Sequence, residues 1–94
     1  MKVKEVKVVE DCFDGSFIRE FILDEPTSED FIKKLSQDAI LEYYKDFPRP
    51  LFKIKKKKAY EIKGVIGNKS VRVIFSRYST QEHVKDLIQK IEKL

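Results

Sequence analysis

Residues 59 to 76 constrain this chain more than any other stretch. There a glycine-led dipeptide, Gly67-Asn68, separates two runs in which apolar and polar residues alternate. A two-residue hairpin turn at Gly67-Asn68 pairs every residue i with residue 135 − i. That register sets Tyr60 against Phe75, Ile62 against Val73 and Gly64 against Val71 on one face. The other face then carries Ala59 opposite Ser76, Glu61 opposite Ile74 and Lys63 opposite Arg72. Upstream, Pro48-Arg49-Pro50 forces extended backbone on Phe47 and Arg49 and launches a further strand. In it, Phe52 and Ile54 meet Ile62 and Tyr60 if Lys56, Lys57 and Lys58 form a three-residue turn. None of these lysines favours the left-handed backbone that such loops want, so one longer, bent strand is the rival reading.

A second hairpin is predicted at the other end. Lys2 to Val9 alternates and is rich in valine, Ser16 to Leu23 is aromatic and β-branched, and Asp14-Gly15 lies between them. A two-residue turn at Asp14-Gly15 places Val6 opposite Leu23, Val8 opposite Phe21, Cys12 opposite Phe17 and Glu10 opposite Arg19. Two helices complete the pattern. The first starts after Pro26, with Thr27 or Ser28 as its cap, Glu29 and Asp30 in the first turn, and Phe31, Ile32 and Leu35 as its apolar stripe. Ala39, Ile40, Tyr43 and Tyr44 continue a helical spacing after a break near Ser36 to Asp38, so residues 37–46 read as helix in preference to strand. The second helix spans Ser79 to Leu94, with Ser79 and Glu82 spaced as a capping box and Val84, Leu87, Ile88, Ile91 and Leu94 as its stripe. The expected fold is α+β, a single-domain two-layer sandwich. Its order is ββαβββα, with a mostly antiparallel sheet and both helices on one face.

Composition removes several function classes. The chain has 94 residues, the length of one domain, and 41% of them are apolar, which argues against disorder. Cys12 is the only cysteine, so no disulfide framework and no cysteine-based metal site is expected. No apolar run approaches the length of a membrane span, and the alternating start is unlike a signal peptide, so the expected location is the cytoplasm. A single asparagine and no tryptophan, beside many Lys and Glu, resemble the composition of heat-adapted proteins.

Candidate chemistry is sparse, and neither a catalytic centre nor a cofactor is expected. His83 is the only histidine, on the first turn of the last helix and without a sequence-visible partner. Cys12 is expected to be a buried thiol beside Phe17 and Val8. Glu10, Asp11 and Asp14 form an acidic turn, yet a hard cation needs more oxygen ligands at defined spacing, so Asp14 is read as a turn former. Gly64 to Gly67 lacks the Lys-Ser/Thr of a phosphate loop and leads into a strand.

Charge is the feature that points to a role. Residues 1–48 carry 7 basic and 12 acidic groups, whereas residues 49–77 carry 10 basic and 1 acidic. Within that block Lys53, Lys55, Lys63 and Arg72 are expected on the outer face of the meander, as a site for an anionic partner such as nucleic acid. Glu61, diagonal to Arg72, would neutralise part of it, and lysines on a solvated sheet face also discourage aggregation. No pair of exposed aromatics is expected beside these lysines, which weighs against single-strand stacking. The alternative is an interaction module that self-associates or docks on a partner protein, its acidic half meeting the basic one.

Overall fold

The computed structural model describes residues 1–94. The chain runs β1 (Val3–Asp11), β2 (Phe17–Leu23), α1 (Glu29–Leu35), β3 (Ile40–Tyr44), β4 (Leu51–Lys56), β5 (Tyr60–Val65), β6 (Ser70–Phe75) and α2 (Gln81–Glu92). All six strands form one sheet in the order β1-β2-β6-β5-β4-β3, and every neighbouring pair is antiparallel. The β1–β2 hairpin forms one side. The segment containing α1 carries the chain to the opposite edge, and β3 to β6 meander back until β6 pairs with β2.

The observed order is therefore ββαββββα, one strand more than expected, because Ile40–Tyr44 is extended. Ser36 terminates α1, its N–H donating to Ile32 O, and the chain then pairs Leu41 with Ile54 and Tyr43 with Phe52. Alternation decides the matter: Leu41 and Tyr43 pack against the core, while Ile40 and Tyr44 are exposed. Helical spacing left Leu41 without a role. Ser28 is the cap of α1, its side chain accepting from Phe31 N–H at 3.1 Å.

The β5–β6 register is as the sequence predicts, with Tyr60↔Phe75, Glu61↔Ile74, Ile62↔Val73 and Lys63↔Arg72. The turn itself lies one residue earlier. Asn68 N–H donates to Val65 O at 3.1 Å, so Ile66 and Gly67 are its central residues, and Gly67 holds φ +94°. Buried Thr27 fixes this turn to the loop before α1. Its backbone accepts from Gly67 N–H at 3.0 Å and donates to Asn68 O at 2.9 Å, and its hydroxyl donates to Val65 O at 2.8 Å.

Two other registers differ from expectation. In the first hairpin Cys12 N–H donates to Ser16 O and Gly15 N–H to Cys12 O, closing a three-residue loop with Gly15 at φ +92°. An irregularity between Val8 and Glu10 shifts the ladder again, so Val6 faces Phe21, Val8 faces Arg19 and Glu10 faces Ile18. Arg19 accordingly pairs with Asp11 at 2.9 Å in place of Glu10. Between β4 and β5 the loop is Lys57, Lys58 and Ala59, giving Ile54↔Ile62 and Lys56↔Tyr60, and Lys58 takes the left-handed backbone at φ +62°. The cap of α2 is Thr80, one residue beyond the expected Ser79, and His83 in place of Glu82 closes the box by accepting from Thr80 N–H at 2.8 Å.

A single cluster of 15 buried apolar residues holds the fold together. It draws on β2, β4, β5 and β6 and on Phe31, Ile32 and Leu35 of α1 and Val84, Leu87 and Ile91 of α2. Of the expected α2 stripe, Ile88 is half-buried and Leu94 is exposed. Phe17 and Phe75 stack with centroids 5.0 Å apart. No helix is long and apolar enough to cross a membrane.

Candidate anion-binding face

Alternation along the strands sends Lys53 and Lys55 of β4, Lys63 of β5 and Arg72 of β6 to the sheet face opposite the core cluster. No residue of the strands on that face is buried. All four predicted residues thus share one solvent-facing surface. Lys53 is directly opposite Lys63, and Lys63 directly opposite Arg72, which makes a row of cations across three neighbouring strands. Like charges in directly opposed positions repel by a few tenths of a kcal/mol per pair. None of these three side chains enters an ion pair within the chain.

Lys55 differs. Its ammonium lies 3.3 Å from Glu42 and 3.9 Å from Glu61, so Glu61 is turned to Lys55 and does not neutralise Arg72. The row ends on carboxylates at both sides, Glu20 across from Arg72 and Glu42 across from Lys53. Hydrogen bonds from the Tyr44 hydroxyl, at 2.9 Å, and from Lys55 hold the Glu42 carboxyl below its usual range, and Lys53 and Lys55 add to this by their charge. The Tyr44 hydroxyl is correspondingly pushed up, first by its bond to Glu42.

The rest of the basic block is dispersed. Lys56 projects to the core side and binds Asp38 at 2.9 Å, Arg49 bonds Asn68, and Arg77 lies over Tyr78. The edge strands also bring Glu5, Lys7 and Glu10 to the open face, so positive charge is concentrated in the central row and does not extend over the whole sheet.

Strand β3 adds what the helical reading concealed. Tyr44, 40% exposed, lies opposite Leu51 on the open face, and its ring meets that of Phe47, 52% exposed, edge-on at 6.4 Å. A depression of about 290 Å³ runs from Tyr44 and Leu51 to Lys53, Lys63 and Val65. An exposed aromatic pair therefore does adjoin the cationic row. The β propensity of Ile40, Tyr43 and Tyr44 was the available signal.

The other candidates are placed elsewhere. Cys12 is half-buried, its thiol donating to Glu10 at 3.3 Å, in contrast to the expected burial under Phe17 and Val8. Asp14 accepts from the Ser16 backbone at 3.0 Å and from its hydroxyl at 2.6 Å, a turn-forming role, and these bonds hold its carboxyl below the usual range. His83 caps α2 and lines a second depression with Asp86 and Tyr60. Comparison with known protein families, with curated proteins and with solved structures finds no match for the chain.

Proposed function

We propose that this protein is a non-catalytic binding module whose open sheet face takes single-stranded nucleic acid. In this reading both helices share the core side of a two-layer sandwich, the opposite face is left to the ligand, and the protein works in the cytoplasm. The observation that carries the proposal is the row Lys53–Lys63–Arg72, three opposed cations with no ion-pair partner in the chain, beside the exposed Tyr44–Phe47 pair. Strand spacing puts such cations about 5 Å apart, within reach of successive backbone phosphates. Bases lifted off a single strand stack on aromatic faces without demanding a sequence. A duplex gives Tyr44 and Phe47 nothing to stack on.

The test is fluorescence anisotropy with labelled single-stranded and duplex oligonucleotides. Tyr44→Ala is expected to weaken single-strand binding by about 1 to 3 kcal/mol and to leave duplex binding little changed. Equal loss on both would remove the stacking role.

A second reading has its own support. Ile18, Ile22 and Ile74 are only half-buried on the same face, and Glu5, Glu10 and Glu20 lie on its β1–β2 side while the cations lie on the β6–β4 side. Such a surface has the apolar and charge-complementary character of a protein interface. Sedimentation distinguishes the two, since self-association appears as a concentration-dependent mass without any nucleic acid.

A further inference from the structure

β1 is an outer strand of the sheet, nine residues long, and every residue in it except Val3 is exposed. The helical layer stops short of it. Val6 pairs with the core residue Phe21 and Val8 with Arg19, which puts both valines on the core side, yet they remain 36% and 67% exposed. The outer backbone groups are free as well. Leu23 N–H donates to Lys69 O and Asp24 N–H to Lys2 O, so the odd residues of β2 turn their backbone groups to β6 and the even ones to β1. Glu5 and Lys7, opposite Ile22 and Glu20, are thereby engaged, whereas Val6 and Val8 direct N–H and C=O to the open edge. Register shifts between Val3 and Glu5 and between Val8 and Glu10 leave a regular run from Glu5 to Val8.

We infer that this edge pairs with the same edge of a second copy of the chain, antiparallel about a two-fold axis through Val6, joining two six-stranded sheets into one. In that register Val6 exchanges both backbone hydrogen bonds with Val6 of the second copy, and each Glu5 lies directly opposite Lys7 of the other chain. An axis through Glu5 or through Lys7 would instead oppose like charges. Within one chain Glu5 and Lys7 are 4.0 Å apart and both exposed, so their charges stay available to a partner. The other outer strand, β3, has five residues, and its one charged residue, Glu42, is held by Lys55. Edge pairing keeps both cationic faces on the same side of the joined sheet and uncovered, unlike a face-to-face dimer.

Sedimentation of the full chain without nucleic acid, from about 10 μM to about 1 mM, should show a monomer–dimer equilibrium. Mass does not locate the contact, so cysteine cross-linking completes the test. In a Cys12→Ser background, Val6→Cys places two thiols on Cα atoms about 5.5 Å apart across the axis, within disulfide reach under mild oxidation. Val8→Cys leaves its two thiols about 13 Å apart along the strands and should cross-link at least about tenfold more slowly. Glu5→Lys should weaken dimerisation about tenfold, and adding Lys7→Glu should restore it. The inference is overturned by a chain that stays monomeric at about 1 mM. Equal cross-linking of Val6→Cys and Val8→Cys, or a double reversal as weak as Glu5→Lys alone, would also overturn it.

Discussion

Lys58 is the only residue other than glycine with a positive φ, at +62°, and an L side chain there crowds the following carbonyl. Its own side chain is exposed and in no ion pair, so little is lost by removing it. Lys58→Gly should therefore raise stability by about 0.5 to 1 kcal/mol in urea unfolding. Asp38 gives a pH signature. Hydrogen bonds from Lys90 and Lys56 lower its carboxyl from 3.8 to about 2, and the same contact raises the Lys56 ammonium. Because the folded value lies below the unfolded one, this stabilisation is complete above pH 3.8 and fades as the pH falls through about 2. The carboxylate is half exposed, so its worth is about 1 kcal/mol or less. Asp38→Asn should be less stable than wild type at neutral pH, and the two unfolding curves should converge near the acid end of that window.

Among the elements, β5 and β6 show how a sequence can specify pairing while misplacing the turn. The register of 135 − i holds because one slipped residue would turn Tyr60, Ile62, Val73 and Phe75 out of the core. Thr27, from a distant loop, instead settles which residues form the turn, and no local pattern announces that bond. The first hairpin failed for a related reason: a bulge near Val9 changes the register inside a strand whose exposed valines anchor it weakly. β3 was missed because Ile40, Leu41, Tyr43 and Tyr44 satisfy helical and strand spacing alike, and only the neighbouring β4 chooses. Both helices were legible from their apolar stripes, whereas the cap of α2 is Thr80 with His83 and not the Ser79 and Glu82 that their spacing suggested. The shared open face of the four basic residues followed directly from the β4 to β6 alternation, whereas the exposed aromatics beside them required β3. Gly64 offers the sharpest test of this packing. A methyl group there would sit 2.5 Å from the Phe52 ring and 3.2 Å from Val71, so Gly64→Ala should destabilise by about 1 to 3 kcal/mol in thermal or urea unfolding. An unchanged midpoint would mean that Phe52 does not lie across Gly64.

For the whole molecule, the formal net charge of +4 understates the asymmetry that matters. Acidic side chains of β1, β2 and β3 flank the open face, and cations of β4, β5 and β6 occupy its middle. A short anionic chain lying across the strands would meet Arg72, Lys63 and Lys53 in succession. Longer-range attraction is limited by the flanking carboxylates, so binding should depend on local phosphate contacts more than on overall charge. The salt dependence of single-strand binding tests this most directly. Three phosphate contacts, with about 0.7 counterions released at each, predict that log K falls with log salt at a slope of about −2. Lys63→Ala/Arg72→Ala should reduce the slope to about −0.7 and weaken binding at low salt. A wild-type protein that shows no binding near micromolar concentration at low salt, or a double variant with an unchanged slope, would contradict the assignment of this face.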